Sequence, residues 1–507
     1  MRTEAMLAGE FATLSDLIRG HAEERPDKPA MICEDRSIGY AALDAMLDRV
    51  AAALQREGLA RNEAVAILGA PSIEYACAFF GALRVGCVPT PLQPSATPAQ
   101  LAAMIADCGA KVLFLDATGA RALGDATVAA QRVALDDGDA GIAFHAFLAP
   151  EGSRPVPVEV GPDDPFNIIY SSGTTGVPKG IVQPQAMRWI HIARAPGGFA
   201  NAVTMIATPL YSNTTLVSFI PTIAWGGTAV LLGKFDARTF VSQAAKHRAT
   251  HAMLVPVQYQ RIMALPDFDS FDLSAFVLKT CTSAPFSAAL KADVLARWPG
   301  LLVEYYGMTE GGGTTALLCN MHPTKLHTVG TPLPGQDIRL IDEAGNEVPQ
   351  GEMGEVVGRS GAMMSGYHGR AEATRDATWH DAEGNRYIRH GDVGRFDEDG
   401  FLILMDRKKD LIISGGFNIY PSDLEAELGA HPGVADCAVV GIPSEQWGET
   451  PVGFFTGPGD PAEGLAWFNA RVGKTQRLAD LVKLDELPRN AIGKVLKREL
   501  RDRYAAA

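Results

Sequence analysis

The sequence has no CxxC pair, no long apolar run and no surplus of positive charge. Its seven cysteines stand singly at Cys33, Cys77, Cys87, Cys108, Cys281, Cys319 and Cys437. That scatter excludes a disulfide scaffold and fits reduced, packed thiols in a cytoplasmic protein. Apolar runs such as Tyr75–Leu83 fall short of the roughly 18–20 residues that cross a bilayer, so no stable membrane insertion is expected. Residues 1–20 hold acids but no basic segment leading into an apolar core, so no secretion signal is expected. With 45 Lys and Arg against 59 Asp and Glu, the formal charge of −14 offers no broad attraction for nucleic acid. An anionic substrate must therefore be held by a local set of donors.

What is present is a hydrophobic fraction of 47% in 507 residues, enough for a large core and more than one domain. The first 160 residues read as repeated α/β units. Leu43, Leu47, Val50 and Leu54 mark a helix, Ala64–Leu68 a strand, Ser72–Val85 a helix, and Leu101–Cys108 with Lys111–Leu115 repeats the alternation. Such alternation predicts a mostly parallel sheet covered by helices. A second α/β section follows residue 180, with strands near Thr204–Ala207, Thr228–Leu232 and His251–Val255 and helices over Asp236–His247 and Phe286–Trp298. Between Gly330 and Phe401 short strands and glycine turns predict an antiparallel β subdomain. After Asp406-Arg407-Lys408-Lys409-Asp410 a small separate domain is expected. Its first helix starts at Pro421-Ser422 with Glu425 three residues on, and Lys494–Tyr504 reads as a basic terminal helix.

The strongest local signal is Ser171-Ser172-Gly173-Thr174-Thr175-Gly176-Val177-Pro178-Lys179-Gly180, which follows the strand-like Asn167–Tyr170. Its glycines permit close backbone approach, its amides and hydroxyls can surround phosphate oxygens, and Lys179 adds charge. The spacing is neither Walker A nor G-x-G-x-x-G. Alone, this stretch also fits a polar surface loop. Tyr306-Gly307-Met308-Thr309-Glu310 supplies a flat ring for adenine, a hydroxyl for phosphate and a carboxylate for Mg²⁺, although alone it also fits an ordinary polar turn. Asp392, between glycines in Arg389-His390-Gly391-Asp392-Val393-Gly394, can accept both ribose hydroxyls, and Arg407 follows the next strand. Attack of a carboxylate on the α-phosphorus of ATP needs a cation, and Lys494 after Gly493 is the candidate. Ser414-Gly415-Gly416-Phe417 offers a narrow passage for a thiol arm, with Trp447 and Arg477 at its nucleotide end.

Together these motifs resemble the adenylate-forming superfamily of acyl-CoA synthetases, peptide-synthetase adenylation domains and firefly luciferase, over roughly residues 15–502. The resemblance implies an α/β fold, with a large N-terminal domain of α/β subdomains plus a β subdomain (1–406) and a hinge (407–410). A small mobile α+β C-terminal domain (411–507) would rotate between half-reactions. It implies triphosphate contacts at Ser172, Gly173, Thr174, Thr175, Gly176 and Lys179, adenine beside Tyr306 and Gly307, and phosphate and Mg²⁺ near Thr309 and Glu310. Ribose falls to Asp392 and Arg407, the hinge to Lys409 and adenylation to Lys494. Gly415 and Gly416 match the pantetheine tunnel, and Trp447 and Arg477 match coenzyme A contacts.

Two departures bear on the acid. Ser212, in Pro209-Leu210-Tyr211-Ser212, stands where an aromatic gate is common, and Thr282, before Ser283, stands where glycine is common. Tyr211, Ser212, Thr282 and Ser283 are thus the expected acid pocket, and an aromatic or short-to-medium aliphatic acid is the expected substrate. Asn201–Phe235 holds no acid, which disfavours amino-acid activation. Arg261 is a weaker candidate for a second substrate carboxylate. The expected activity is ATP-dependent acid–coenzyme A ligation, with loading of a carrier-protein pantetheine as the alternative. Noncatalytic nucleotide sensing is a more distant one. The expected cofactors are ATP, Mg²⁺ and coenzyme A. The expected partner is a small carboxylic acid, and a homodimer is admitted.

Overall fold

A computed structural model of the chain describes residues 2–136, 138–171, 178–195, 197–407, 410–414, 417–444, 447–473, 476–490 and 493–506. Among these residues the strands gather into five sheets. The largest has nine strands, in the order Thr331–Pro332, Thr315–Leu318, Leu301–Tyr306, Leu278–Cys281, His251–Leu254, Val203–Ile206, Thr228–Leu231, Pro29–Cys33 and Arg36–Gly39. From Leu301–Tyr306 to Pro29–Cys33 the neighbours run parallel, and the outer strands are antiparallel.

A second sheet, all parallel, runs from Val88–Pro91 through Ala64–Leu68, Val112–Leu115 and Gln131–Ala134 to Ile142–Ala143. The strands at 64–68 and 112–115 lie where the sequence predicts them. The first α/β section is nevertheless not self-contained. Pro29–Cys33 pairs with Thr228–Leu231, so the two α/β sections interlock. Beyond residue 119 the chain contributes two of these strands, Gln131–Ala134 and Ile142–Ala143, and the short helix Phe144–Phe147.

Several helices start where side chains satisfy their free amides. Ser72 accepts from the Tyr75 amide, Asp116 from Gly119, Asp236 from Thr239 and Ser287 from Leu290. Thr97 and Gln100 form a reciprocal capping box, with Pro98 at the first helical position. Each cap satisfies an amide that the helix itself cannot, worth about 1 kcal/mol. Ile73–Arg84 is buried along its whole length and packs on Tyr40–Arg56, which accounts for its nearly continuous apolar sequence.

The region from Asp337 to Arg407 forms the expected antiparallel sheet. The C-terminal part builds its own sheet around Asp436–Ser444 and Gly448–Thr456, with an apolar core of Ile412, Leu424, Leu428, Val439, Phe455 and Phe468. The helix there is Pro421–Gly429, but Ser422 is not its cap. Pro421 takes the first position, and the Ser422 hydroxyl donates instead to the Met405 carbonyl of the preceding sheet. Glu425 accepts from the Val439 amide and pairs with Lys497. The terminal helix is Lys497–Ala505, so Lys494 precedes it rather than riding on it. All seven cysteines are free thiols. Among the described residues, no helix is long and apolar enough to cross a membrane.

The buried histidines give the fold a pH dependence. Burial lowers the His251 imidazole to about 4, from 6.5 in an unfolded chain. Between those values the unfolded chain takes up a proton that the folded chain refuses. Stability therefore falls as the pH drops from 6.5 toward 4, by up to about 1.4 kcal/mol per pH unit from this group. His251→Gln should flatten the decline of the urea unfolding midpoint across this window; a slope equal to that of the parent would contradict the assignment.

Candidate active site

Parallel strands deliver their following residues to one side of a sheet, and four neighbouring strands do so here. Ile206 leads to Tyr211 and Ser212, Leu254 to Val255-Pro256-Val257, Cys281 to Thr282 and Ser283, and Tyr306 to Thr309 and Glu310. In open α/β sheets ligands bind in the crevice beyond such carboxyl ends.

The segment Ser172–Val177, with Gly173, Thr174, Thr175 and Gly176, lies outside the described residues; its flanks do not. The strands Pro165–Ser171 and Lys179–Pro184 form an antiparallel hairpin, and Gly366–Tyr367 adds a third strand to it. The Lys179 ammonium lies 5.2 Å from the centroid of the Tyr367 ring. The Tyr367 hydroxyl donates to Glu310 Oε1 at 2.8 Å. Burial, reinforced by the Glu310 carboxylate, pushes this phenol upward, so it keeps its proton and remains a donor. The loop's cation and the acidic end of the Tyr306–Glu310 motif are thereby joined through one ring.

Glycine is required directly after Glu310. Gly311 has φ +79°, and a side chain there would collide with the Ala362 carbonyl. This close approach lets the Met364 amide donate to the Glu310 carbonyl, which holds the turn.

Tyr306 reaches the β subdomain. Its hydroxyl lies 2.8 Å from Asp392 Oδ2 and 3.0 Å from His390 Nδ1, while His390 Nε2 lies 2.9 Å from the Gly312 carbonyl. Burial lowers the His390 pKa, so the ring is neutral near pH 7. The Gly312 carbonyl then requires the proton on Nε2. His390 Nδ1 and Asp392 are left as two acceptors for one phenolic proton. Asp392 stands directly opposite Arg407 in the strand register.

Lys494 sits in a tight turn rather than on a helix. Its amide donates to Asn490 Oδ1, Asn490 donates back to its carbonyl, and Arg489 holds the Gly493 carbonyl and pairs with Asp436. Gly493 has φ +78°, and an added Cβ would lie 2.5 Å from Val257 Cγ1. The glycine thus permits close contact with the segment after the His251–Leu254 strand. That contact brings the lysine's turn to the same strand ends. Beside it Arg261 faces Glu486 at 3.8 Å, both well exposed.

The pocket residues have a polar setting. Ser212 is buried and precedes the helix Asn213–Ala224 without capping it. Ser283 holds φ +83°, uncommon for a residue with a side chain, and its hydroxyl lies 2.6 Å from that of Thr214. Burial raises the pKa of the Tyr211 phenol. Trp447 is half-exposed and Arg477 exposed. Lys409, Gly415 and Gly416 lie outside the described residues. Tyr367 was not a sequence candidate. Its link to Glu310 spans 57 positions, and only the Gly366–Tyr367 pair between turns hinted at it.

Among the described residues no group of three or more His, Cys, Asp and Glu is placed to hold a metal on its own. A lone carboxylate such as Glu310 fits Mg²⁺ carried mainly by phosphate and water. A cavity of about 770 Å³ includes Arg19, Arg61, Arg84 and Arg154 in its wall, away from every motif. Three of those arginines are already paired with Asp44, Asp48 and Asp164, so it offers no concentrated positive charge.

Comparison with known proteins places similarity over nearly the whole chain. The AMP-binding enzyme family matches residues 18–368, and the AMP-binding enzyme C-terminal domain matches 423–494. The chain is 33% identical to an indoleacetate–CoA ligase of Aromatoleum aromaticum, covering 97% of this chain and 98% of that one. It is 31% identical to a fatty acid–[acyl-carrier-protein] ligase of Streptomyces coeruleorubidus, covering 98% and 97%. The ATP-bound structure of MatB from Rhodopseudomonas palustris superposes with a TM-score of 0.84 at 28% identity, over 97% of this chain and 99% of that one.

The Tyr367–Glu310 bond is testable without knowing the acid. Tyr367→Phe keeps the ring under Lys179 but removes the donor to a carboxylate, which should weaken MgATP binding about tenfold. Isothermal titration measures this, and affinity equal to that of the parent protein would show that the bond does not organise the turn.

Proposed function

The chain belongs to the AMP-binding enzyme family, and from that membership we propose that it is an ATP-dependent carboxylic acid–coenzyme A ligase. The observation that carries this proposal is the joining of Lys179, Tyr367 and Glu310 beside the strand ends that Lys494 also approaches.

In the proposed first half-reaction, a carboxylate oxygen of the acid attacks the α-phosphorus of ATP. The bond to the bridging oxygen breaks, pyrophosphate leaves, and an acyl-adenylate remains. Alignment and charge stabilisation are the main demands of such a transfer. Lys179 and the amides of 172–177 hold the leaving phosphates, and Lys494 offsets charge developing between acid and α-phosphate. Mg²⁺, held beside Glu310, would neutralise phosphate oxygens. Asp392 accepts the ribose hydroxyls, with Arg407 opposite. A ribose hydroxyl that donates to Asp392 competes with the Tyr306 hydroxyl for that carboxylate, and the Tyr306 proton has His390 Nδ1 as its other acceptor.

In the second half-reaction a thiol sulfur attacks the acyl carbonyl carbon, AMP leaves, and the thiol proton goes to solvent. The proposal places the rotating unit at 411–507 with its hinge at 407–410 and Lys409. Gly415 and Gly416 line the thiol passage, and Trp447 and Arg477 lie at the coenzyme's nucleotide end. Tyr211, Ser212, Thr282 and Ser283 surround the acid. Their polar character, and similarity to an indoleacetate–CoA ligase, support an aromatic or short-to-medium aliphatic acid. Arg261, 3.8 Å from Glu486, stays the weaker candidate for a second substrate carboxylate. The carrier-protein ligase among the relatives keeps one second reading, transfer to a protein-bound pantetheine.

A panel of benzoates, hydroxycinnamates, indoleacetate and straight-chain acids, assayed with MgATP and either coenzyme A or a pantetheinylated carrier protein, distinguishes the two. We expect thioester formation with coenzyme A. Carboxylate-dependent pyrophosphate exchange with transfer only to the carrier would favour the second reading. Lys494→Ala should slow adenylation about 10²–10³-fold, the scale for losing one charge-stabilising group, and leave thiolation of a supplied acyl-adenylate nearly intact. Equal loss in both half-reactions would remove Lys494 from its assigned role.

A further inference from the structure

Behind the nucleotide hairpin lies a buried polar cluster that none of the assigned roles uses. Asn167 and Gln183 stand directly opposite each other on the two strands that flank residues 172–177, and both are fully buried. The Arg188 guanidinium, also buried, donates to Asn167 Oδ1 from Nε at 3.2 Å and from Nη2 at 3.1 Å. Nη2 also donates to Gln183 Oε1. Among the described residues no carboxylate pairs with Arg188, its Nη1 has no partner, and the Phe166 ring lies 5.8 Å away. Burial lowers this group to about 9, so it is still a cation at neutral pH. A buried cation without a counter-charge is costly to keep in a fold.

The cation decides which way the Gln183 amide faces. A guanidinium has only donors, so the amide oxygen must turn toward it and the amide nitrogen must turn away. Turned away, Nε2 donates to the Thr309 carbonyl at 2.7 Å and to Asn213 Oδ1 at 3.3 Å. Thr309 belongs to the turn that presents Glu310. Asn213 opens the helix directly after Ser212. One side chain therefore touches the phosphate-loop hairpin, the metal-side turn and the edge of the acid pocket.

We propose that Gln183, held by Arg188, is a positioning residue that keeps the phosphate-loop hairpin in register with the Thr309–Glu310 turn and the Asn213 end of the pocket. This rests on the ATP-dependent function above. Neither residue touches the reacting atoms. Their effect is on geometry, to which in-line transfer is sensitive: misplacement by about 1 Å can cost 10²-fold.

The test uses the full-length protein and MgATP as the probe. Gln183→Met keeps the volume and the Arg188 charge but loses both donors, and should weaken MgATP binding about tenfold. Gln183→Glu gives Arg188 a carboxylate but cannot donate to the Thr309 carbonyl. It should match or exceed the parent's urea midpoint while losing MgATP affinity as Gln183→Met does, a split that a purely structural role would not produce. Because Arg188 acts through Gln183, adding Arg188→Met to Gln183→Met should leave MgATP affinity unchanged within about twofold. Parental affinity in Gln183→Met, or a full additional loss in the double variant, would overturn the inference and leave the proposed function standing. A parent protein that does not bind MgATP would overturn both.

Discussion

The common direction of six strands decides where everything else in this protein can be. Their carboxyl ends open on one side of the nine-stranded sheet, and the acid-pocket residues, the Thr309–Glu310 turn and the Lys494 turn all meet that side. A parallel sheet requires long crossovers, so residues hundreds of positions apart arrive at a common edge without being neighbours in sequence. The β subdomain then closes over the edge, with Tyr306 as the strut between the sheet and Asp392.

The two ends of the site are held with different firmness. On the nucleotide side, buried or partly buried bonds run through Tyr367, Gln183 and His390. On the Lys494 side, the contacts among the described residues include a glycine against Val257, an exposed ion pair at 3.8 Å and the Ser422 bond to Met405. Exposed ion pairs of this kind contribute about 0–1 kcal/mol. In the proposed cycle this face parts between half-reactions, as unit-to-unit interfaces within a chain commonly do.

Local pattern made the scaffold readable. Alternation of apolar strands with helical spacing gave the parallel sheets. The motifs around 171–180, 306–310, 392 and 494 were visible because unusual residue combinations recur at short spacing. Three things were not visible. Pro29–Cys33 joins a strand two hundred residues away, a pairing that no local period encodes. Ser422 looked like a cap, but Pro421 took the first turn and the hydroxyl found a carbonyl from another unit. Tyr367, Gln183 and Arg188 carry no motif of their own: Tyr367 arrives on a strand from a distant part of the chain, and Gln183 and Arg188 act through side-chain bonds that no local period encodes.

The central claim is that these separated segments enclose one triphosphate with its α-phosphorus within reach of Lys494. A crystal structure with a non-hydrolysable ATP analogue and Mg²⁺ measures this directly. The account predicts the terminal phosphates within hydrogen-bonding distance of 174–179, the metal beside Glu310, the ribose on Asp392 and the Lys494 side chain directed at the α-phosphate. A nucleotide bound elsewhere, with Glu310 and Asp392 contacting no part of it, would contradict the account.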